Sequence, residues 1–396
     1  MKALTWQGPQ QVEVTEVPDP RIEQPTDAII RVTSTAICGS DLHLYQVLGP
    51  FLSRGDVLGH EFMGIVEEVG PEAGPLAVGD RVVVPFNISC GHCFMCTHGK
   101  QSQCETTQVT DQGKGAALFG YTKLYGQVPG GQAQYVRVPQ AQYGPVKVPE
   151  HGVDERYLYL SDILPTAWQA AKYADVGPGQ TVAVFGLGPV GQLATRCALQ
   201  QGADRVIGVD LVDERLEMAR RFGVETVDLR RTPDAGEAIR ELTGGRGADA
   251  VIEAVGMEAH GSPVAEGVVS AVGKLPKPIA RKLTEKLGVD RLAALQASFD
   301  AVRRGGTVSV AGVYGGAADP VNLMQLFDKN LTIRMGQCNV RNWTDELLEL
   351  LRRDVDLLGT ESLATHRLGL SQAAQAYQTF QRKQDGCVKV VLDPTR

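Results

Sequence analysis

Four of the eight cysteines stand in one pattern, Cys90-x2-Cys93-x2-Cys96-x7-Cys104. At this cysteine content the pattern is expected by chance only about 6 × 10⁻⁵ times in the chain, so the spacing is specific. Three thiols at steps of three on a short turn cannot readily pair with one another as disulfides. Four thiolates at about 2.3 Å around Zn²⁺ instead make a closed tetrahedral site that stabilises a fold. An iron–sulfur cluster uses the same ligand type.

A second group is Cys38-Gly39-Ser40-Asp41-Leu42-His43 followed by Gly59-His60-Glu61. A thiolate, an imidazole and a more distant carboxylate would form a three-ligand catalytic zinc site with one position open. On Cys38 and His60 alone, a satisfied core histidine is the simpler reading. The third group is VFGLGPVG, with Gly186, Gly188 and Gly191. GxGxxG alone matches a chain this rich in glycine about 0.6 times by chance, so its context must carry it. The motif closes the apolar run 181–185 and opens a helix with Pro189 and Val190 in its first turn, and Asp210 ends the next apolar run, RVIGVD. A tight glycine turn, a helix N-terminus and a following carboxylate are what a dinucleotide pyrophosphate and ribose require.

Elements must position these groups. At 396 residues the chain exceeds what one core serves, and two domains are expected. Residues 1–150 read as short β-branched runs broken by Gly and Pro, among them AIIRVTSTAI, IVEEVG, DRVVVPF and QAQYVRVP. After Pro165 strands alternate with helices, as in TVAVFG, RVIGVD, ERLEMARRFG, ETVDL and DAVIEAVG, which is the pattern of a parallel α/β sheet. TVSVAGV, LTIRMG and QDGCVKVVLD read as further strands. Lys plus Arg at 39 against Asp plus Glu at 46 gives −7, which argues against nucleic acid or an anionic membrane as the main partner. No apolar run reaches membrane-spanning length, and MKALTWQGPQ breaks at Gln7, Gly8 and Pro9, so a cytoplasmic protein with reduced thiols is expected.

GHEFMGIVEEVG, the CGSDLH segment, the four-cysteine lobe, GLGPVG and the closing AAQAYQTF…GCVKVVL together resemble the zinc-containing medium-chain alcohol dehydrogenases. LSDILPTAWQA and the long stretch after EAVGMEAHG are most similar to the glutathione-independent formaldehyde-dehydrogenase branch. The resemblance implies an α/β fold with a GroES-like β-rich catalytic domain and a Rossmann domain with a doubly wound parallel sheet. It places the catalytic domain at 1–160 with a zinc lobe at about 86–125, the Rossmann domain at 161–340 with an insertion at 257–295, and a return to the catalytic domain at 341–396.

It also implies two zinc ions per chain and NAD. Cys38, His60 and Asp162 become ligands of the catalytic zinc, and Cys90, Cys93, Cys96 and Cys104 those of the structural one. Asp162 stands where many relatives have Cys, and a harder ligand leaves zinc more Lewis acidic. Glu61 takes the place of a glutamate that can approach the metal, or serves as an outer carboxylate. Asp41 fixes the tautomer of the ligand histidine, Ser40 takes the alcohol proton and His43 relays it to solvent. Gly186, Gly188, Pro189, Val190, Gly191 and Asp210 would hold NAD, and Arg215 either approaches its adenosine end or lies on the helix surface.

The implied reaction passes a hydride between a primary alcohol or aldehyde, formaldehyde included, and NAD, in a homodimer or homotetramer. Loops 44–56 and 86–89 would line the pocket. Other readings are a polyol or threonine dehydrogenase, an aldehyde dismutase with tightly held NAD covered by the 257–295 insertion, a zinc-free quinone reductase, and a non-catalytic NAD-binding protein.

Overall fold

The computed structural model describes residues 1–46, 48–256, 292–314 and 321–396. The proposed cover over NAD at 257–295 therefore falls outside the described residues except at 292–295, which open the helix Ala293–Ala301. By its internal contacts the chain divides into two units, Met1–Pro165 with Cys338–Arg396, and Thr166–Gln337. Among the described residues no helix is long and apolar enough to cross a membrane.

The first unit is built on a seven-stranded sheet. Its order runs His366–Gly369, Val390–Asp393, Ala28–Ile37, Glu61–Val69, Arg81–Val84 and Val146–Lys147, with Tyr135–Val138 also paired to Ala28–Ile37. The pairings are antiparallel except between the two C-terminal strands. Alternating Ile30, Val32, Phe62, Val66, Val82 and Val84 point into one buried cluster, as β-branched and aromatic residues on a pleated surface do. The hairpin Lys2–Gly8 with Gln11–Glu16 and the helix Ala373–Arg382 enclose a second cluster around Leu4, Trp6, Tyr377 and Phe380.

The second unit carries a six-stranded sheet in the order Glu225–Asp228, Arg205–Asp210, Thr181–Phe185, Ala248–Glu253, Val302–Val310 and Thr332–Met335. Every pairing is parallel. Counted within the unit this is order 3-2-1-4-5-6, the doubly wound arrangement whose switch point lies between Thr181–Phe185 and Ala248–Glu253. Pro in the first turn opens the helix Pro189–Gln200, where its missing N–H costs nothing. The strand expected at TVSVAGV begins earlier, at Val302. Gly305, at φ +66°, bends it, and the register jumps from the Ala248–Val302 pair to the Ala250–Thr307 pair.

Candidate active site and metal centres

Strand Ala28–Ile37 runs directly into Cys38 and the helix Gly39–Gln46, which sets Cys38, Ser40 and Asp41 at one junction. The neighbouring strand pairs Glu61 with Ala36, bringing His60 and Glu61 alongside. Asp162 arrives from the turn after the short helix Tyr159–Ser161, and Ser161 is tied down by Phe86 N–H donating to its carbonyl at 2.8 Å. The result is a tight cluster. Asp162 Oδ2 lies 3.7 Å from Cys38 Sγ and 3.1 Å from His60 Nε2, and Ser40 Oγ lies 3.2 Å from the same nitrogen. One donor atom from each of Cys38, His60, Glu61 and Asp162 falls within 4.8 Å of the others.

Burial pushes the Cys38 thiol up to about 11, and the carboxylates of Glu61 and Asp162 push the same way. His60 is raised well above its ordinary value: burial, the largest single influence, opposes this, but Asp41, Asp162 and Cys38 together outweigh it. A thiol and two carboxylates crowded out of water repel one another's charged forms, whereas a divalent cation among them reverses that penalty and deprotonates the thiol. This donor set fits zinc, a borderline-soft ion that accepts S, N and O ligands. Glu61 is already engaged. Lys389 Nζ lies 2.7 and 2.8 Å from its two oxygens and 3.0 Å from Ile37 O.

His60 Nδ1 faces Asp41 Oδ1 at 3.2 Å, the geometry of a second contact that orients a ligand imidazole. Ser40 and His43 are three residues apart on one short helix and share a face; His43 is half-buried. Phe86 stands edge-on to the His60 ring, with centroids 6.3 Å apart.

In the lobe at residues 86–125, Cys90, Cys93, Cys96 and Cys104 form a second group of converging donor atoms, all as free cysteines. Backbone N–H groups of Cys93, Cys90 and Glu105 donate to Cys90 Sγ, Cys104 Sγ and Cys93 Sγ, each at 3.4 Å. Neutral sulfur is a weak acceptor, so this many donors aimed at sulfur suits thiolates. For Cys93, burial opposes ionisation, but the N–H groups of Cys96 and Glu105 outweigh it and draw the thiol down to about 6. Burial pushes Cys96 up, so a metal would have to displace its proton. Asn339 pins the lobe, its Oδ1 accepting from Ser102 N–H at 3.0 Å and from Ser102 Oγ at 2.9 Å.

In the second unit, Gly186 has φ +83°, and a Cβ there would meet Val255 Cγ2 at 2.7 Å. A Cβ at Gly191 would lie 1.7 Å from Gly186 O, so strand and helix approach only with glycine. Gly188 differs. Its Cβ would meet nothing nearer than Arg215 Nη1 at 3.8 Å, leaving the backbone there and the adjoining Pro189 and Val190 accessible to an incoming phosphate. Asp210 Oδ2 accepts from Leu187 N–H at 2.7 Å, while Oδ1 accepts from Leu211 and Val212 N–H at 2.7 and 2.9 Å. The carboxylate thus braces the glycine turn itself. Arg215 is buried rather than on the helix surface, with Nη1 3.7 Å from Asp210 Oδ2. Its helix faces the turn, and its carbonyl accepts from Gln192 Nε2 at 2.7 Å.

Residues 24–150 match the alcohol dehydrogenase GroES-like domain, and residues 189–268 match the zinc-binding dehydrogenase family. The zinc-type alcohol dehydrogenase-like protein AdhB of Bacillus subtilis is 42% identical, covering 100% of both chains. The chain belongs to the zinc-containing alcohol dehydrogenases. A formaldehyde dismutase of Pseudomonas putida is 33% identical to this dehydrogenase over 99% of its chain and 97% of the relative's. Among solved structures, the alcohol dehydrogenase TADH from Thermus sp. ATN1 superposes with a TM-score of 0.82 at 34% identity, covering 99% of each chain.

Sequence reasoning does not single out Lys389, Gln132 or Tyr377 in the dehydrogenase. Lys389 left one legible trace, a lone charge in the apolar run CVKVVL, where a fully buried lysine needs an anion. Gln132 and Tyr377 left none, because their partners are set by strand register and helix docking.

Proposed function

We propose that this dehydrogenase passes a hydride between a primary alcohol or its aldehyde, formaldehyde among them, and NAD, with one zinc held by Cys38, His60 and Asp162 and a second by the four cysteines of the lobe. The observation carrying this reading is the convergence of those three ligands with Ser40 Oγ, which lies 3.2 Å from His60 Nε2. Bound zinc would supply Lewis acidity that lowers the pKa of the substrate hydroxyl. Ser40 takes the proton from that hydroxyl and passes its own to His43, one helical turn on, which gives it to water. NAD, when bound, would supply the acceptor for the C–H hydrogen of the alkoxide with its electron pair, leaving the carbonyl. Phe86 and the buried Tyr157–Leu160 segment keep bulk water from the ligand cluster.

NAD over NADP is favoured by Asp210. Its buried carboxylate, with two N–H donors on Oδ1 and one on Oδ2, keeps an acceptor site on Oδ2 for a ribose hydroxyl and would repel a 2′-phosphate, while Arg215 is drawn to the carboxylate rather than left free. A homo-oligomer is supported by the outer strand Thr332–Met335, which is exposed along its length and paired on one side among the described residues. On the helix Leu323–Asp328 that precedes it in the chain, Leu323, Met324 and Phe327 are exposed by 71%, 73% and 84%, apolar surface that a second copy would cover.

The test is appearance of reduced nicotinamide absorbance with a panel of primary alcohols and formaldehyde, alongside zinc counting and light scattering. Turnover with primary alcohols, close to two zinc per chain and a mass above the monomer support the reading. Zinc-independent turnover, or preference for polyols, would overturn it.

A further inference from the structure

A buried chain of polar groups runs from the C-terminal part of the first unit to His60. Tyr377, on the helix Ala373–Arg382, donates through Oη to Gln132 Oε1 at 2.8 Å. Gln132 Nε2 then donates to Ala36 O at 3.1 Å and to Asp41 Oδ2 at 3.2 Å. Cys38 N–H also donates to Asp41 Oδ2, at 2.9 Å, while Asp41 Oδ1 faces His60 Nδ1 at 3.2 Å. Tyr377, Gln132 and Asp41 are all 0% exposed, so none of these groups can exchange a partner for water.

The donor inventory allows this chain one polarity. Ala36 O and the Asp41 carboxylate only accept, so the amide NH₂ of Gln132 must face them and its oxygen must face Tyr377, whose hydroxyl donates. Asp41 is then held at Oδ2 by two donors, and its other oxygen is fixed towards Nδ1 of the imidazole. An acceptor there favours the proton on Nδ1, and Nε2, which faces Asp162 Oδ2 at 3.1 Å and Ser40 Oγ at 3.2 Å, is the nitrogen a metal would take. The packing is equally restrictive: Gly59, the residue before His60, has φ +97°, and a Cβ there would lie 2.4 Å from Gln132 Cγ.

We propose that Gln132 and Tyr377 are positioning residues for the catalytic zinc, acting through Asp41 to orient the His60 ring with Nε2 towards the Cys38–Asp162 cluster. The inference rests on the zinc reading given above. Neither side chain touches substrate or metal, and Tyr377 acts through Gln132. Its loss therefore frees the amide to rotate, whereas loss of Gln132 removes the link altogether.

The experiment follows zinc release from the holoenzyme to a chromophoric chelator for wild type, Gln132→Met, Tyr377→Phe and the double variant, with the four-cysteine zinc as internal control. Release from the Cys38–His60–Asp162 set should accelerate roughly tenfold in Gln132→Met and less in Tyr377→Phe, while release from the lobe stays unchanged. The double variant should match Gln132→Met alone, since the two lie on one path. The kcat should fall with KM little changed. Catalytic-zinc release at the wild-type rate in the single variants would overturn the proposal, as would equal acceleration at both sites or additive effects. If Gln132→Met does not fold, Tyr377→Phe decides alone, because it deletes a single hydroxyl and keeps the ring that fills the core; wild-type release in it overturns the proposal. A wild type holding zinc only in the lobe overturns the metal reading and this proposal together, whereas a wild type with both zincs and unmoved variants overturns this proposal alone.

Discussion

Lys389 and Glu61 form an ion pair with no exposure on either side chain, Nζ lying 2.7 Å from Oε1 and 2.8 Å from Oε2. Burial works most strongly against a charged lysine here, but Glu61, with Cys38 and Asp162 adding to it, outweighs burial and raises the Lys389 pKa. The pair joins the C-terminal segment to the strand that begins at Glu61, directly after His60, and it restrains a carboxylate lying within ligand reach of the Cys38–His60–Asp162 cluster.

Removing one partner strands the other. Lys389→Met should lower the unfolding free energy in urea by about 3–5 kcal/mol, because a buried carboxylate is left uncompensated. Glu61→Gln combined with Lys389→Met should recover most of the loss. A single variant within about 1 kcal/mol of wild type would show that the pair is not isolated from water.

Cys93→Ser should release about one zinc per chain and lower the thermal midpoint, since a closed tetrahedral site contributes folding free energy outright. Three backbone N–H donors converge on these sulfurs at 3.4 Å, a geometry that loses its purpose without thiolates. Elemental analysis and calorimetry check this. An unchanged zinc count in the variant would remove the lobe from the metal assignment.

Asp162→Ala should lower kcat at least a hundredfold, on the order of the upper range for loss of a metal-orienting group, and leave the lobe zinc bound. Asp162 sits 3.1 Å from His60 Nε2 and 3.7 Å from Cys38 Sγ. Activity retained within about tenfold would transfer the ligand role to Glu61 or to water.

Asp210→Ser should raise the NADP-to-NAD ratio of kcat/KM by removing the charge that repels a 2′-phosphate. It should also weaken binding of both cofactors, because Asp210 accepts from Leu187 N–H at 2.7 Å and braces the glycine turn. Paired steady-state measurements with the two cofactors separate these effects. Equal kcat/KM with NAD and NADP in the wild type would refute the preference.

Much of this molecule is legible before folding because its signals are local. Cys90, Cys93, Cys96 and Cys104 lie within one turn-rich stretch, so their spacing alone defines a donor set. The glycines of GLGPVG meet constraints set by the adjacent strand and helix, and the period of apolar residues marks the parallel strands of the second unit. The proposed ligand set Cys38, His60 and Asp162 is reached instead through family resemblance, since no residue spacing links positions so far apart. Tertiary structure decided what depends on register and docking. The antiparallel pairing of Ala36 with Glu61 is what sets His60 beside Cys38. The return of the C-terminal segment is what delivers Lys389 to Glu61 and Tyr377 to Gln132. Burial then turned Asp210 into a brace and took Arg215 off the helix surface. A polar side chain announces its donors and acceptors in its type, but which of them it satisfies is settled only when packing excludes water and leaves one partner within reach.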